Sequence, residues 1–232
     1  MISFYREEYG AKNKDVVFLF AGWGNTIKDY EIFSKILVFF GYDCITYAYD
    51  PSILNPNIDE TIQNLQEIKE NILKEIEKLR NQKNSFAVFG TSLGTVVSLL
   101  VANSSNDISK VILNLSGAIV GDSIWGWGDK MFPEFHDNFK KNNITLFRLR
   151  KKWKKINPIE NLTHLEKKKI LLISSKSDDI IPYSQAKKLL QAMKKRKLAV
   201  TVYTHTKLNH YWTAVFNLFF FPRYISFLKN TL

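Results

Sequence analysis

Short apolar runs alternate with longer amphipathic stretches along this chain. The short runs are rich in β-branched and aromatic residues, and they predict buried strands at 15–20, 43–49, 85–89, 110–115, 169–173 and 199–203. The amphipathic stretches predict helices at 26–40, 58–82, 93–103, 183–195 and 212–229. This alternation is typical of an α/β fold, in which a mostly parallel sheet carries crossover helices on both faces.

The segment at 117–157 interrupts the alternation. It follows a predicted strand and shows no clear apolar period. A chain of 232 residues is long enough for one substantial domain. We therefore expect a single domain over 1–232, with a small cap inserted at roughly 117–157 over the carboxyl edge of the sheet.

Composition adds a strongly basic character to this picture. The formal net charge is +11, which favours acidic partners without choosing among them. Cys44 is the single cysteine, so no intrachain disulfide is expected. The sequence shows no signal-peptide pattern, and its most apolar C-terminal run, at 215–221, is too short to cross a bilayer. These features predict a cytoplasmic protein.

A glycine-flanked serine is the strongest chemical signal. Gly90, Ser92 and Gly94 form a G-x-S-x-G pattern that follows a predicted strand and opens a predicted helix. A sharp strand-to-helix turn of this kind lifts a serine hydroxyl above the sheet and points a helix N-terminus at it. Ser92 is therefore the candidate nucleophile. An incidental serine in a glycine turn is the alternative.

A second glycine-rich turn follows the first predicted strand, at residues 21–24. Acyl transfer needs two backbone N–H groups that stabilise the oxyanion, one after the nucleophile and one from an early loop. The N–H groups of Leu93 and Trp23 are the candidates. A simple strand-to-helix connection would also favour glycine here.

The remaining candidates for a catalytic site come late in the chain. Asp178 and Asp179 follow the strand at 169–173, and His210 lies between the last strand and the last helix. Histidine titrates near neutrality, so it can accept the serine proton and return it to a leaving group. Asp178 stands four residues before Pro182 and is the first candidate for orienting His210, with Asp179 as the alternative.

The other three histidines receive different predictions. We expect a structural role for His205 and a solvated turn for His164, whereas His136 in the cap is open to a surface or a substrate-facing role. No pair of histidines has metal-ligand spacing with nearby acids, so we predict no metal and no cofactor.

These signals together resemble the α/β-hydrolase superfamily over nearly the whole chain. The spacing of Asp178 before Pro182 and the order Ser92, Asp178, His210 fit that superfamily. The residues at 20–24 (FAGWG) are more narrowly similar to the pimeloyl-acyl-carrier-protein methyl ester esterases, in which a Gly-Trp-Gly turn supplies the oxyanion loop. Ala21 stands where many members of the superfamily have His-Gly, which leaves the hydrogen bonding of this loop open.

The cap contains a run of basic residues without acids over 138–157. They are Lys140, Lys141, Arg148, Arg150, Lys151, Lys152, Lys154 and Lys155. Arg148, Arg150, Lys151 and Lys152 are candidates for docking an acidic carrier protein, which the narrower resemblance implies. They are equally candidates for an anionic membrane surface, with Phe147 and Trp153 at its interface. A solvated charged face is the third alternative, and nucleic acid is the weakest.

Two classes of function follow. In the first, the chain is a serine hydrolase that cleaves a carboxylic ester or a thioester through an acyl-enzyme, on a small acyl ester, a carrier-linked methyl ester or a lipid at an anionic surface. In the second, the chain is a hydrolase fold retained as a binding module without turnover. All three types of triad residue are present in order, which favours the first.

Overall fold

The fold is a single mixed sheet with helices on both faces. The computed structural model describes residues 3–131 and 133–229, and for residues 127–131 the backbone alone. In this part of the chain the strands are β1 (Phe4–Tyr9), β2 (Asp15–Phe20), β3 (Tyr42–Tyr49), β4 (Ser85–Thr91), β5 (Ile108–Asn114), β6 (Lys169–Ser175) and β7 (Ala199–His205). Their order across the sheet is β1-β3-β2-β4-β5-β6-β7, and only the β1–β3 pairing is antiparallel among them.

The helices connect these strands. Over the same described residues they are α1 (Glu31–Phe39), α2 (Ile58–Leu79), α3 (Leu93–Ser104), α4 (Val120–Met131), α5 (Pro133–Lys141), α6 (Leu146–Lys152), α7 (Tyr183–Lys195), α8 (His210–Phe219) and α9 (Phe221–Lys229). None of them is both long and apolar enough to cross a membrane.

Both faces of the sheet are covered, and this explains why the strands are almost continuously apolar. In β2 the side chains of Val16, Phe18 and Phe20 join one buried cluster, and those of Val17 and Leu19 join another. Helices α2, α3 and α7 pack in the first cluster, whereas α1 and α9 pack in the second. The predicted parallel sheet with helices on both faces is confirmed.

Three details differ from the sequence prediction. Strand β1 was not predicted, because it lies at the edge of the sheet and its middle residues are exposed and charged. The predicted helix at 26–40 begins as a 3₁₀ turn, Ile27–Tyr30, before α1. The predicted helix at 212–229 is two helices, α8 and α9, because Pro222 has no N–H to donate to the preceding turn.

The segment after β5 forms helices α4, α5 and α6 and a 3₁₀ turn, Trp153–Ile156. Phe135, Phe139 and Trp153 are buried in it, whereas Phe147 on α6 is exposed. Trp125 stacks on Phe139 with the ring centroids 5.9 Å apart. Trp153 is fully buried, and its indole N–H donates to the carbonyl oxygen of Ile58 at 2.8 Å. The expectation that Trp153 lies at a membrane interface is therefore wrong, since this side chain fixes the segment to α2.

Candidate active site

Ser92 occupies the turn between β4 and α3. Its backbone has φ 52° and ψ −116°, a region that residues other than glycine rarely adopt. Such a conformation costs about 1–3 kcal/mol and persists only where its surroundings impose it. The Ser92 N–H donates to the carbonyl oxygen of Asn114 at 2.8 Å, which ties the turn to the end of β5.

The two glycines of the motif are required by close backbone packing. A Cβ at Gly90 would lie 2.3 Å from the carbonyl oxygen of Gly94. A Cβ at Gly94 would lie 2.1 Å from the carbonyl oxygen of Phe20, at the end of β2. No side chain fits at these distances, so the start of α3 can approach the sheet this closely only with glycine.

Hydrogen bonds join Ser92 to His210 and His210 to Asp178. The Nε2 atom of His210 lies 3.0 Å from the Oγ of Ser92. The Nδ1 atom of His210 lies 2.9 Å from Oδ2 and 3.0 Å from Oδ1 of Asp178. Since an ionised carboxylate only accepts, Nδ1–H is the donor to Asp178, and Nε2 is left to accept from the serine hydroxyl.

The two neighbouring acids have different partners. Asp178 is nearly buried, and its Oδ1 also accepts from the backbone N–H groups of Ile180 at 2.9 Å and Ile181 at 2.8 Å. Asp179 Oδ1 instead accepts from the backbone N–H of His210 at 3.1 Å. Asp178 therefore holds the imidazole ring, whereas Asp179 holds the first residue of α8.

The glycine-rich loop after β2 lies beside Ser92. A Cβ at Gly22 would lie 3.7 Å from the Cβ of Ser92. The Gly22 N–H donates to the hydroxyl oxygen of Tyr30 at 3.1 Å, and that hydroxyl donates to Asn25 at 3.4 Å. Burial raises the pKa of Tyr30, so the hydroxyl stays protonated and able to donate.

Both candidate oxyanion residues reach the same cavity as Ser92. The side chain of Trp23 is held by its indole N–H, which donates to the carbonyl oxygen of Pro51 at 2.8 Å. Leu93 is the first residue of α3, where backbone N–H groups have no partner within the helix. Trp23, Leu93, Ser92 and His210 all line one cavity of about 680 Å³.

Three asparagines fix α8, two of them buried, and the sequence analysis did not find them. The side-chain amide of Asn217 donates to Asn114 at 2.7 Å, and its oxygen accepts from His205 at 2.8 Å. Asn209 caps the helix by accepting from the Trp212 N–H at 2.9 Å. Only Asn209 carries a sequence signal, as an N-cap residue directly before His210.

The remaining histidines lie outside this hydrogen-bonded chain. The His136 ring lies on α5, 5.5 Å from that of Trp125, and His164 lies in an exposed turn. Among the described residues, no group of three His, Cys, Asp or Glu side chains is arranged to hold a metal ion.

The structure does not bring the four basic candidates on α6 to Ser92. Arg148, Arg150, Lys151 and Lys152 are exposed on α6, and none of them lines the cavity. Arg150 pairs with Asp122, and Lys152 pairs with Asp59 at 3.2 Å. Two of the four cations are thus engaged within the chain, and α6 presents its charge to solvent.

Comparison with known proteins gives one match by sequence family and many by fold. Residues 63–231 match the prolyl oligopeptidase family. No curated protein sequence matches the chain.

Three solved structures illustrate the similarity of fold. The acylaminoacyl peptidase of Pyrococcus horikoshii is 13% identical with a TM-score of 0.73, over 100% of this chain and 39% of that one. MGS-M2, an α/β hydrolase from a Medee basin deep-sea metagenome, is 16% identical with a TM-score of 0.67, over 100% of this chain and 96% of that one. A carboxylesterase structure from Nitrososphaera gargenis is 12% identical with a TM-score of 0.66, over 98% of this chain and 94% of that one. At these identities the comparisons show a shared fold alone.

Proposed function

Because the chain belongs to the prolyl oligopeptidase family, we propose that it is a serine hydrolase that cleaves a carboxylic ester or a thioester through an acyl-enzyme. The predicted resemblance to the α/β-hydrolase superfamily is confirmed by the family match and the fold neighbours. The observation that carries the proposal is the hydrogen-bonded chain from Ser92 through His210 to Asp178.

The geometry supports a two-step reaction. Ser92 Oγ attacks the substrate carbonyl carbon while His210 Nε2 takes the hydroxyl proton, and Asp178 stabilises the imidazolium. The backbone N–H groups of Trp23 and Leu93 stabilise the oxyanion. The leaving group departs with the proton from His210, and a water molecule activated by His210 then releases the acid from Ser92.

Amide hydrolysis is the second candidate, because the family takes its name from a peptidase. The cavity favours an ester. Most of its lining side chains are apolar, and a peptide lying against them would lose its hydrogen bonds to water without replacement.

A carrier-linked methyl ester is one specific form of the proposal. It is supported by the resemblance of residues 20–24 and by the exposed cations Arg148 and Lys151 on α6. The carrier would dock on α6 by charge, and its acyl arm would enter the cavity.

Labelling with a fluorophosphonate probe tests the proposal directly, since an activated serine reacts and an ordinary serine does not. We expect the protein to label, Ser92→Ala to lose labelling and ester hydrolysis, and Ser184→Ala on the exposed face of α7 to keep both. Rates on matched esters, thioesters and anilides then separate the substrate classes.

Two results would contradict the proposal. Absence of labelling in the folded protein would favour the binding module without turnover. An acyl-enzyme detected by mass spectrometry in Ser92→Ala would show that another residue is the nucleophile.

A further inference from the structure

One side of the cavity is a groove between α1 and α8. The side chains that line it from these two helices are apolar beyond His210 and Tyr211 at the start of α8, and include Ile32, Ile36, Val215, Leu218 and Phe219. Residue 214 is an alanine, so the groove has room between the helices at this point. The groove begins at His210, the first residue of α8.

The groove continues away from Ser92. A second, mostly apolar cavity, of about 370 Å³, shares Ile32 and Ile36 and adds Phe39, Phe40 and Phe221, with Lys35 beside them. Ile32 and Phe39 are seven residues apart on α1, so the apolar surface extends about 10 Å along that helix. Ile32 is 64% exposed and Phe39 is 84% exposed. Exposed apolar side chains that adjoin a cavity in this way are candidates for contact with a ligand.

Helix α8 is turned in an unusual direction. Its buried residues are His210, Thr213 and Asn217, all of them polar. Leu218 packs in part against the second buried cluster, whereas the other large apolar residues face the groove or solvent, and Phe219 is 61% exposed. In an ordinary surface helix the apolar side chains pack inward. Here most of the apolar side of α8 is left uncovered by the described part of the chain.

We propose that the substrate carries a long unbranched hydrocarbon chain, which lies in the α1–α8 groove while the ester carbonyl lies at Ser92. This inference rests on the proposed function and names its substrate class. Lys28 and Asp29 line the cavity ahead of α1, but the five apolar residues named above offer no hydrogen bond to a polar chain. A hydrocarbon chain needs none and gains from leaving water.

Chain-length dependence follows from this placement. Full burial of one CH₂ group of the substrate should raise kcat/KM about fourfold. In a groove that is open along one side, we expect kcat/KM to rise about twofold for each CH₂ group. We therefore expect kcat/KM for p-nitrophenyl octanoate, which has six more CH₂ groups, to exceed that for the acetate by about sixtyfold, after division by spontaneous hydrolysis. Octyl acetate against methyl acetate tests the same preference for a chain on the alcohol side.

Variants that fill the groove test whether the hydrocarbon chain of the substrate lies there. Ala214→Trp should lower the octanoate-to-acetate ratio at least about tenfold, because the indole would occupy the space between the helices. Val202→Trp adds the same side chain on the edge strand β7, outside the cavity, and should keep the ratio. Circular dichroism verifies folding. If Ala214→Trp does not fold, Ile32→Ser at an exposed position should still lower the ratio about threefold.

The outcomes separate the two proposals. A preference for the longer chain in either series, lost in the groove variants and kept in Val202→Trp, supports the inference. Equal rates for long and short chains, with hydrolysis that depends on Ser92, overturn the inference and leave the proposed function intact. No hydrolysis of any ester overturns both.

Discussion

Ser92 owes its backbone conformation to the absence of side chains at two neighbouring positions. The G-x-S-x-G pattern predicted this at the level of residue type, because a strained turn needs glycine around it. The sequence could not show which atoms enforce it. The carbonyl oxygen of Phe20, more than seventy positions earlier in the chain, is the atom that a side chain at Gly94 would meet.

Substitution of Gly94 tests this close approach. Gly94→Ala should lower the free energy of unfolding by at least about 3 kcal/mol, because the conflict is with backbone that cannot rotate away. Urea unfolding followed by circular dichroism measures it. Gly126→Ala on α4 is the control, since no described atom lies within 4 Å of the added Cβ, and alanine should stabilise the helix by about 0.5–1 kcal/mol. Equal effects of the two variants would contradict the steric explanation.

The two acids beside His210 give the sharpest comparison of single residues. Asp178→Asn should lower kcat by about 10⁴, because an amide in place of the carboxylate favours the wrong imidazole tautomer. Asp179→Asn should lower it at most about tenfold, because the asparagine oxygen can still accept from the His210 N–H. Steady-state kinetics on one ester decides between them. A larger loss in Asp179→Asn would reverse their roles.

Individual elements were predictable where hydrophobic burial alone determines them. Strands β2 to β7 carry apolar or β-branched residues and were predicted near their observed positions. Strand β1 was not, because pairing with β3 rather than burial forms it. The break between α8 and α9 was also missed, although Pro222 marks it.

Only part of the candidate site could be predicted from the pattern of hydrophobic burial. Ser92, Asp178 and His210 follow strand ends that the apolar pattern locates, and the structure brings their side chains together. Tyr30 and Asn217 act through partners that only the folded chain brings close, so no local pattern identifies them.

A buried ion pair links the start of β3 to the turn after α2. Asp43 Oδ2 lies 2.6 Å from Lys83 Nζ, and its Oδ1 accepts from the Asn13 N–H at 3.1 Å. Burial raises the pKa of Asp43, but the hydrogen bonds from Lys83 and Asn13 outweigh it and hold the pKa below its ordinary value. The ionised carboxylate therefore stabilises the fold above the unfolded pKa of about 3.9, and this stabilisation is lost as the pH falls through the folded value.

Asp43→Asn should accordingly lower the free energy of unfolding by about 3–5 kcal/mol near neutral pH, because it leaves a nearly buried ammonium group without its counter-ion. The difference from the wild type should shrink as the pH falls below about 4. Urea unfolding across pH measures it. Asp59→Asn removes the exposed pair with Lys152 and should change stability by less than about 1 kcal/mol. A difference for Asp43→Asn that does not vary with pH would contradict the linkage.

The molecule as a whole carries a formal net charge of +11. Long-range attraction of acidic partners follows from it whatever the partner is. On α6, Arg148 and Lys151 remain the exposed candidates, because Arg150 and Lys152 pair with acids of the same chain. A solvated charged face is the alternative for all four.

The double variant Arg148→Gln, Lys151→Gln distinguishes these alternatives. If α6 docks an acidic carrier, KM for a carrier-linked ester should rise severalfold, and more steeply at low salt, because screening acts over about 8 Å at physiological ionic strength. KM for p-nitrophenyl acetate should not change, since neither residue lines the cavity. Lys187→Gln, Lys188→Gln on the exposed face of α7 is the control for charge alone. Equal KM values for the carrier-linked ester in both double variants would support the solvated face.

The inward polar face of α8 also has a consequence on warming. The fully buried residues that attach this helix to the sheet are polar, so hydrogen bonds hold His210 above Ser92, and Leu218 adds a partly buried apolar contact. Elements held in this way open before the core does. Heat should therefore inactivate the enzyme while its sheet is still intact, and cooling should restore it. A ligand bound in the groove would cover the apolar side of α8 and favour the state in which the site is assembled. The enzyme should therefore resist heat inactivation best when its substrate is bound.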